Sequence, residues 1–352
     1  MARLDRLGPA KDIAQIASVI GRQFSHPLLK AIAGVSDNNL ATSLGRLRES
    51  GLIFEAGDED QSPTYSFNHS LVQEAAYESL SRSRRQSLHR EIASHLETGA
   101  AEADEKEPTL VAYHYSRAGD AEKSCHFWLL AAERSSRGLA FADSLASLDA
   151  ALAEAERVGD PAIRARLKVD AQLRLGTTLA LHRGPQSNEA ESALEQAWLL
   201  AKEANAGPQM FQAAWGLYLN AARNQRLDKA KMRGEELLRI SQAVGDEDLK
   251  FEALHHRWGL AYFMGQTAKI LEFTEEGIQR YNRDRHHKFT YVFAGHDPGA
   301  CAYCVRAMAL GLAGRTKGAR PMLDAGLALA TSLDVGILSQ CGVHRDAYRW
   351  RR

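Results

Sequence analysis

The stretch that decides the fold of this chain is Tyr65–Arg85, which reads YSFNHSLVQEAAYESLSRSRR. Its first residues alternate, with Tyr65 and Phe67 on the same side, as in a short strand that has one buried face. At residues 68–70 the apolar period changes from two to about 3.6, which predicts that a helix follows the strand. His69 lies at this junction, at the predicted N-terminus of the helix, where backbone N–H groups favour an anion.

The second half of the stretch predicts the body and the end of that helix. Four residues form its apolar face: Leu71, Ala75, Tyr77 at the flank, and Leu80. Arg82, Arg84 and Arg85 follow where the helix is predicted to end, and cations are favourable at a helix C-terminus. These arginines form a candidate basic contact patch; the alternatives are a solvated face or an acidic partner within the chain.

The residues before this stretch predict a small compact domain. Apolar stripes, caps and glycine stops predict helices at 9–21, 26–34 and 37–51. LIFEA at 52–56 predicts a strand, which returns as 64–67 after the polar turn GDEDQSP. Three helices followed by a two-stranded ribbon are the winged-helix arrangement, which we predict for residues 1–80.

The residues after the stretch predict helices and no strand of any weight. Residues 81–107 are interpreted as a connecting helix and an acidic linker, and residues 334–352 as an irregular tail. Between them, residues 108–333 predict helix pairs separated by turns that carry Gly or Asp, with a pair-to-pair spacing of roughly 38–50 residues. This pattern predicts a tetratricopeptide-like α-solenoid, so the fold class is mainly α.

Composition narrows the class of protein further. The 352 residues contain 44 basic and 44 acidic side chains, so no overall field points to nucleic acid or an anionic membrane. No apolar stretch approaches the roughly 20 residues of a membrane span, and the N-terminal residues offer no signal-peptide core. Four cysteines are too few for a disulfide scaffold, so we expect a cytoplasmic protein.

Three segments resemble a known family. They are ARLDRLGPAKDIAQIASVIGRQFSH, the region from Tyr65 to Glu97, and LVAYHYSRAGDAEKS. They look like the region downstream of the ATPase module in large bacterial signalling proteins that carry a class III adenylate/guanylate cyclase domain, a signal-transduction P-loop ATPase and a tetratricopeptide tail. Residues 295–315 are similar to a late repeat of that tail, and the resemblance covers roughly residues 2–333.

The resemblance implies a role in signal transduction, whereas the chain lacks the family's catalytic motifs. It contains no G-x-x-x-x-G-K-[ST] and nothing resembling the metal-binding aspartates of a cyclase. We therefore expect no enzymatic activity, no catalytic residue and no cofactor.

The resemblance also bears on His69. In related nucleotide switches a winged-helix histidine of a Met-His-Asp motif touches the β-phosphate of ADP, and FNHSLVQEAAY is similar in position, with His69 matching that histidine. Ser70 stands where an Asp is usual. The alternative is a histidine that caps the helix or packs under the wing.

Other residue patterns also resemble functional sites. Cys301 and Cys304 form C-x-x-C with His296 nearby, a spacing seen in zinc sites, but a second ligand pair is missing, so we expect packing residues and no metal. The segment RDRHHK at 283–288 is interpreted as a polar inter-repeat loop. Aromatic residues recur at packing intervals and are expected in the core between helices, some of them lining a partner groove: Tyr113, Tyr115, Phe127, Trp128, Trp215, Tyr218, Trp258, Tyr262 and Phe263.

The function predicted from these observations is a non-catalytic regulatory module. Its repeats would bind a protein or peptide partner, and the winged helix would relay this to the nucleotide switch of an ATPase/cyclase module. The alternative is a DNA-binding regulator that reads DNA with Arg46 and Arg48, although DNA is not the partner we expect because Asp37 and Glu49 share their helix. A third reading is a fragment without a task, since both ends look cut.

Overall fold

The structure is a computed structural model that describes residues 7–56, 63–99, 107–293 and 296–333. Most of the predicted polar turn, part of the acidic linker and the whole predicted tail 334–352 lie outside these residues. The described residues divide into two compact units: 7–134 with 153–158, and 135–152 with 159–333. The predicted fold class is confirmed, since the described chain is mainly helical.

The first unit contains helices and one small sheet. Its elements are α1 (Pro9–Ile20), β1 (Gln23–Ser25), α2 (His26–Ala33), α3 (Asp37–Glu49), β2 (Ile53–Glu55), β3 (Thr64–Phe67), α4 (Ser70–Glu78), α5 (Arg82–Gly99), α6 (Pro108–Ala118) and α7 (Ala121–Arg137). The sheet is antiparallel with the order β1-β3-β2, and it pairs Phe24 with Tyr65 and Phe54 with Ser66. Strand β1 was not predicted, because three residues are too short to display an alternating pattern.

The core of the first unit explains why these elements pack together. Phe24 on β1 lies against Tyr65 and Phe67 on β3, with ring centroids 5.9 and 5.6 Å apart. Leu88 and Ile92 of α5 are fully buried in the same core. Helix α5 is thus part of this core as well as a connection, while a folding boundary near residue 80 stays a prediction.

The junction between α4 and α5 differs from the sequence prediction. Leu71 is 74% exposed, and Val72 and Ala76 pack against the core in its place. The other residues of the predicted face, Ala75, Tyr77 and Leu80, do pack there. Helix α4 ends at Glu78, and the Ser81 hydroxyl accepts the N–H of Arg84 at 3.2 Å and caps a new helix. The three arginines therefore lie in the first turn of α5, so the argument from a helix C-terminus was wrong.

The second unit continues with helices joined by short turns. They are α8 (Phe141–Arg157), whose last residues belong to the first unit, α9 (Pro161–Arg183), α10 (Asn188–Glu203), α11 (Gly207–Arg223), α12 (Leu227–Val244), α13 (Glu247–Phe263), α14 (Thr267–Arg280), α15 (Arg283–His286), α16 (Pro298–Leu312) and α17 (Thr316–Ser332). Each helix from α9 to α13 packs against the next one along the chain, and α9, α11 and α13 also contact in succession. This is the stacking expected of helical repeats, in which each pair buries its apolar face on its neighbours.

One segment of the second unit breaks the repeat. Residues 283–291 form the short helix α15 and a 3₁₀ turn, His287–Tyr291. His286 is buried and stacks on Phe251 of α13, with ring centroids 3.9 Å apart. The interpretation of this segment as a polar loop was therefore wrong. Its charged residues suggested a solvated loop, but the histidine between them packs against α13.

Candidate functional site

His69 occupies the N-cap position of α4, at the junction where the sequence placed it. Its backbone is extended (φ −134°, ψ 138°), and its carbonyl accepts the N–H of Val72 at 3.0 Å. Its ring makes no capping hydrogen bond, and its side chain is exposed. The residue therefore neither caps α4 through its side chain nor packs under the sheet, and its suggested contact with a nucleotide phosphate stays a prediction.

The three arginines of the candidate basic patch have different local surroundings, and their role as a contact patch stays a prediction. The Arg85 guanidinium lies over the Tyr77 ring, 5.0 Å from its centroid. Arg84 pairs with Glu91 of the same helix at 3.7 Å, and Arg82 is exposed. The structure thus engages Arg84 and Arg85 in different local contacts.

Two buried histidines behind Tyr77 were missed by the sequence analysis. His89 on α5 and His114 on α6 bring their Nδ1 atoms to 2.8 Å, and His89 Nε2 lies 3.1 Å from the Tyr77 hydroxyl. Burial lowers the pKa of His89 to about 3, with a further contribution from His114, and lowers that of His114 to about 4. The available signal was the position of His89 beside the buried Leu88, next to an apolar stripe.

A pocket of about 670 Å³ opens on the first unit. Residues of α1, α3 and the start of α5 line it, among them Asp12, Asn39, Arg46 and Arg84. Apolar side chains, including Ile13 and Leu88, complete the lining. Its mixed lining suits a protein side chain or a short segment of a partner more than a purely apolar ligand.

On the face of α3 that would read DNA, Arg48 is paired with an acidic residue, whereas Arg46 is exposed and lines the pocket. Arg48 pairs with Glu55 of β2 at 3.2 Å, and Asp37 pairs with Lys30 at 2.7 Å. A surface for duplex DNA needs unpaired cations at the phosphates. The geometry therefore gives no specific support to the DNA-binding alternative.

The two cysteines of the C-x-x-C motif face different surroundings in the second unit. Cys304 packs towards α17, beside Leu323 and Gly326, and burial raises the pKa of its thiol to about 11. Cys301 instead lies with His296 and with His255 of α13, in a group whose candidate ligand atoms are all within 4.8 Å of one another. Sequence reasoning missed His255 because 41 residues separate it from His296.

The recurring aromatic residues lie mostly in the core, as expected. Tyr115, Trp215, Tyr218 and Trp258 are nearly inaccessible, whereas Tyr113 is 45% exposed. The buried rings therefore act in packing between helices, and the expected partner groove stays a prediction.

Comparisons with known proteins find similar proteins but assign the chain to no family. No protein-family profile matches it. An uncharacterized protein of Rhizobium meliloti (strain 1021) is 26% identical over 319 residues, which cover 90% of this chain and 31% of that protein. The chain thus spans about a third of its relative's length.

Three solved structures share the helical architecture at low identity. One is a signal transduction ATPase with numerous domains (STAND) protein with a tetratricopeptide repeat sensor, from Pyrococcus horikoshii. The sequence identity is 11%, the match covers 92% of this chain and 63% of that chain, and the TM-score is 0.43. The Rap conjugation gene regulator of plasmid pLS20 in complex with the Phr* peptide has 13% identity and a TM-score of 0.49, covering 92% and 76% of the two chains. The apo form of RapI has 11% identity and a TM-score of 0.44, covering 95% and 77%. Likenesses of this size carry no functional conclusion for this chain.

The sequence predicts no membrane span, and the described helices can be examined for one. None of them is both long enough and apolar enough to cross a bilayer.

Proposed function

We propose that this chain is the non-catalytic regulatory part of a cytoplasmic signalling protein. In this proposal the helical repeats bind a protein or peptide partner. Residues 7–80 form a winged helix that relays the binding event to the nucleotide switch of a P-loop ATPase, in a protein that also carries a cyclase module.

The order of elements supports the winged-helix part of the proposal. The chain runs α1, β1, α2, α3, β2, β3, and β3 lies between the other two strands. A winged helix needs three helices, with a small antiparallel sheet whose last two strands make the wing. The extra strand β1 supplies the third strand of that sheet.

One observation supports the proposed relay more than any other, and it is the surface at the start of α4. Leu71 is 74% exposed and lies two residues after the exposed His69. A large apolar side chain beside an exposed histidine at a helix N-terminus fits contact with another module that presents an anionic group. The nucleotide phosphates of a docked ATPase have that chemistry.

The repeats supply the rigidity that a relay needs. Glu195 of α10 bonds Arg233 of α12 through both carboxylate oxygens, at 2.9 and 3.0 Å, and bonds Lys229 at 3.2 Å. Glu191 holds Lys229 and Arg226 in the same way, at 2.7–3.0 Å. These ion pairs join α10 to α12, which are the second helices of two neighbouring helix pairs. A partner that moves one helix pair can therefore move the next one as well.

The proposal requires a P-loop ATPase module encoded in frame upstream; the experiment uses the chain fused to that module and loaded with fluorescent ADP. His69→Ala should raise the ADP release rate by at least about tenfold, because one charge-assisted contact of about 1.5–3 kcal/mol is lost. Lys231→Ala, an exposed change on α12, is the matched control and should leave release unchanged. A genome without an ATPase module for this chain, or equal ADP release from the two variants, would overturn the relay.

The same protein separates the proposal from the DNA-binding alternative. Binding of duplex DNA with a steep dependence on salt would favour a DNA regulator, since phosphate contacts release counterions. We expect no such binding, because Arg48 is already paired with Glu55.

A further inference from the structure

Three metal-binding side chains meet inside the second unit. His255 lies on α13, His296 precedes α16, and Cys301 lies in the first turn of α16; one ligand atom from each falls within 4.8 Å of the others. The Nε2 atoms of His255 and His296 are 3.3 Å apart. Two nitrogens bound about 2.0–2.1 Å from one tetrahedral ion are separated by about 3.3–3.4 Å. The two imidazoles thus already stand at the spacing that a shared zinc ion requires.

A carboxylate orients the first of these imidazoles. Glu252 lies one helical turn before His255, and its Oε2 is 3.0 Å from His255 Nδ1. When Nδ1–H donates to that oxygen, the lone pair of the ring is at Nε2, the atom that faces His296. A carboxylate behind a histidine in this way is the usual outer shell of a protein metal ligand.

Glu252 is otherwise unexplained. It is fully buried, and its second oxygen, Oε1, has no hydrogen-bond partner. No lysine or arginine among the described residues pairs with it. A buried carboxylate without a cation is unfavourable. A divalent ion held by one thiolate would place positive charge beside this carboxylate and near that of Asp297, which also acts on Glu252.

The other acidic and thiol groups nearby are occupied elsewhere. Asp297 Oδ1 accepts the N–H of Ala300 at 2.9 Å and caps α16, while its Oδ2 accepts the Tyr281 hydroxyl at 2.9 Å. Cys304 packs towards α17. The ligand set is therefore two histidines and one cysteine, with a fourth position left for water.

We propose that His255, His296 and Cys301 bind one zinc ion, positioned by Glu252, and that this ion fixes the start of α16 to α13. Mixed nitrogen and sulfur ligands suit zinc, which has no geometric preference of its own and accepts three protein ligands plus water. His296 is half-buried and offers the route by which the ion enters.

The test begins with the whole chain after treatment with a chelator. Titration with Zn²⁺ and, separately, with Co²⁺ should give one ion per chain. Bound Co²⁺ should show the ligand-field bands of a tetrahedral site and a thiolate-to-cobalt charge-transfer band. It should also quench tryptophan fluorescence, because the ring centroids of Trp258 and Trp215 lie 4.8 and 5.4 Å from that of His255.

Variants assign the ligands. His296→Ala and Cys301→Ala should each weaken Zn²⁺ binding at least about tenfold, and Cys301→Ala should also remove the charge-transfer band. Cys304→Ala is the matched control from the same motif and should leave both unchanged. Glu252→Gln should weaken binding by about 10–100-fold while keeping the charge-transfer band, as expected of a positioning residue. Circular dichroism of every variant establishes that it is folded.

The zinc site is overturned by any of three results in folded protein. These are less than one ion per chain, a cobalt spectrum without thiolate charge transfer, or equal loss of affinity in Cys301→Ala and Cys304→Ala. A further check is thermal: Zn²⁺ should raise the Tm of the parent chain and leave that of His296→Ala unchanged, since only a ligand that binds the folded state stabilises it.

Discussion

The imidazole of His89 faces the imidazole of His114, with 2.8 Å between their Nδ1 atoms. One neutral ring donates to the other, and a proton on both nitrogens would place two cations in direct contact. Arg117 adds a further cation nearby, since it donates to the Tyr77 hydroxyl at 3.0 Å, and that hydroxyl contacts His89. Protonation of both histidines should therefore destabilise the interface of α5 and α6.

This relationship predicts acid sensitivity of the first unit. The pKa values of His89 and His114 fall from 6.5 to about 3 and about 4, so the unfolded chain binds more protons than the folded one below about pH 6.5. The free energy of unfolding should decrease as the pH falls from 6.5 to about 4 for His114, and to about 3 for His89. Denaturant unfolding followed at several pH values measures it.

A substitution isolates the contribution of one ring. His114→Leu should reduce the acid-dependent loss of stability by roughly 1–3 kcal/mol, because one buried group no longer takes up a proton. His126→Gln, an exposed histidine of α7, is the control and should keep the parent's pH profile. The same profile in parent and His114→Leu would contradict the assignment.

His69→Ala should have little effect on the stability of the chain. The ring makes no capping hydrogen bond, so we expect a change below about 1 kcal/mol. Asp160→Ala is the comparison, because its carboxylate caps α9 by accepting the N–H groups of Ala162 and Ile163 at 2.8 and 3.0 Å, and it should lose about 1 kcal/mol. Thermal unfolding measures both, and a larger loss for His69→Ala than for Asp160→Ala would make His69 a structural residue.

Gly277→Ala should destabilise the second unit by about 1–3 kcal/mol through overpacking. A Cβ at Gly277 would lie 2.5 Å from Cζ3 of the buried Trp258, whose ring fills the space between α13 and α14. Gly45→Ala on α3 is the matched control, since nothing lies within 4 Å of its Cβ, and it should stabilise by roughly 0.5–1 kcal/mol. Chemical denaturation of the two variants should give opposite signs; equal signs would contradict the close contact.

Arg233→Ala should cost about 3 kcal/mol, as for breaking a buried ion pair. Arg233 is 7% exposed, bonds Glu195 and Glu236, and lies over the Trp198 ring at 5.0 Å. Lys250→Ala removes an exposed pair with Glu247 and should change stability by less than about 1 kcal/mol. Denaturant midpoints of the two variants measure these changes in stability. Similar small losses in both would show that the ion-pair network does not hold α10 to α12.

Local signals were sufficient for most of the long helices. Among the predicted turns that carry Gly or Asp, Asp160 caps α9, and Gly245 has the positive φ (76°) of a helix stop. Both effects involve only neighbouring residues, so their residue types alone identify them. The same reasoning failed at Leu71, where the packing of α4 on α1, and not the spacing within α4, chose the buried face.

The sequence by itself determined the helix pairs, the strand at 64–67, and the place of His69 at the start of α4, because caps, periodicity and turn residues act within a few positions. Only the tertiary structure decided that His255 meets His296 and Cys301 and that Cys304 does not join them. The physical reason is range. Contacts between residues that are 40 or more positions apart depend on how helices stack, and no local pattern records the stacking.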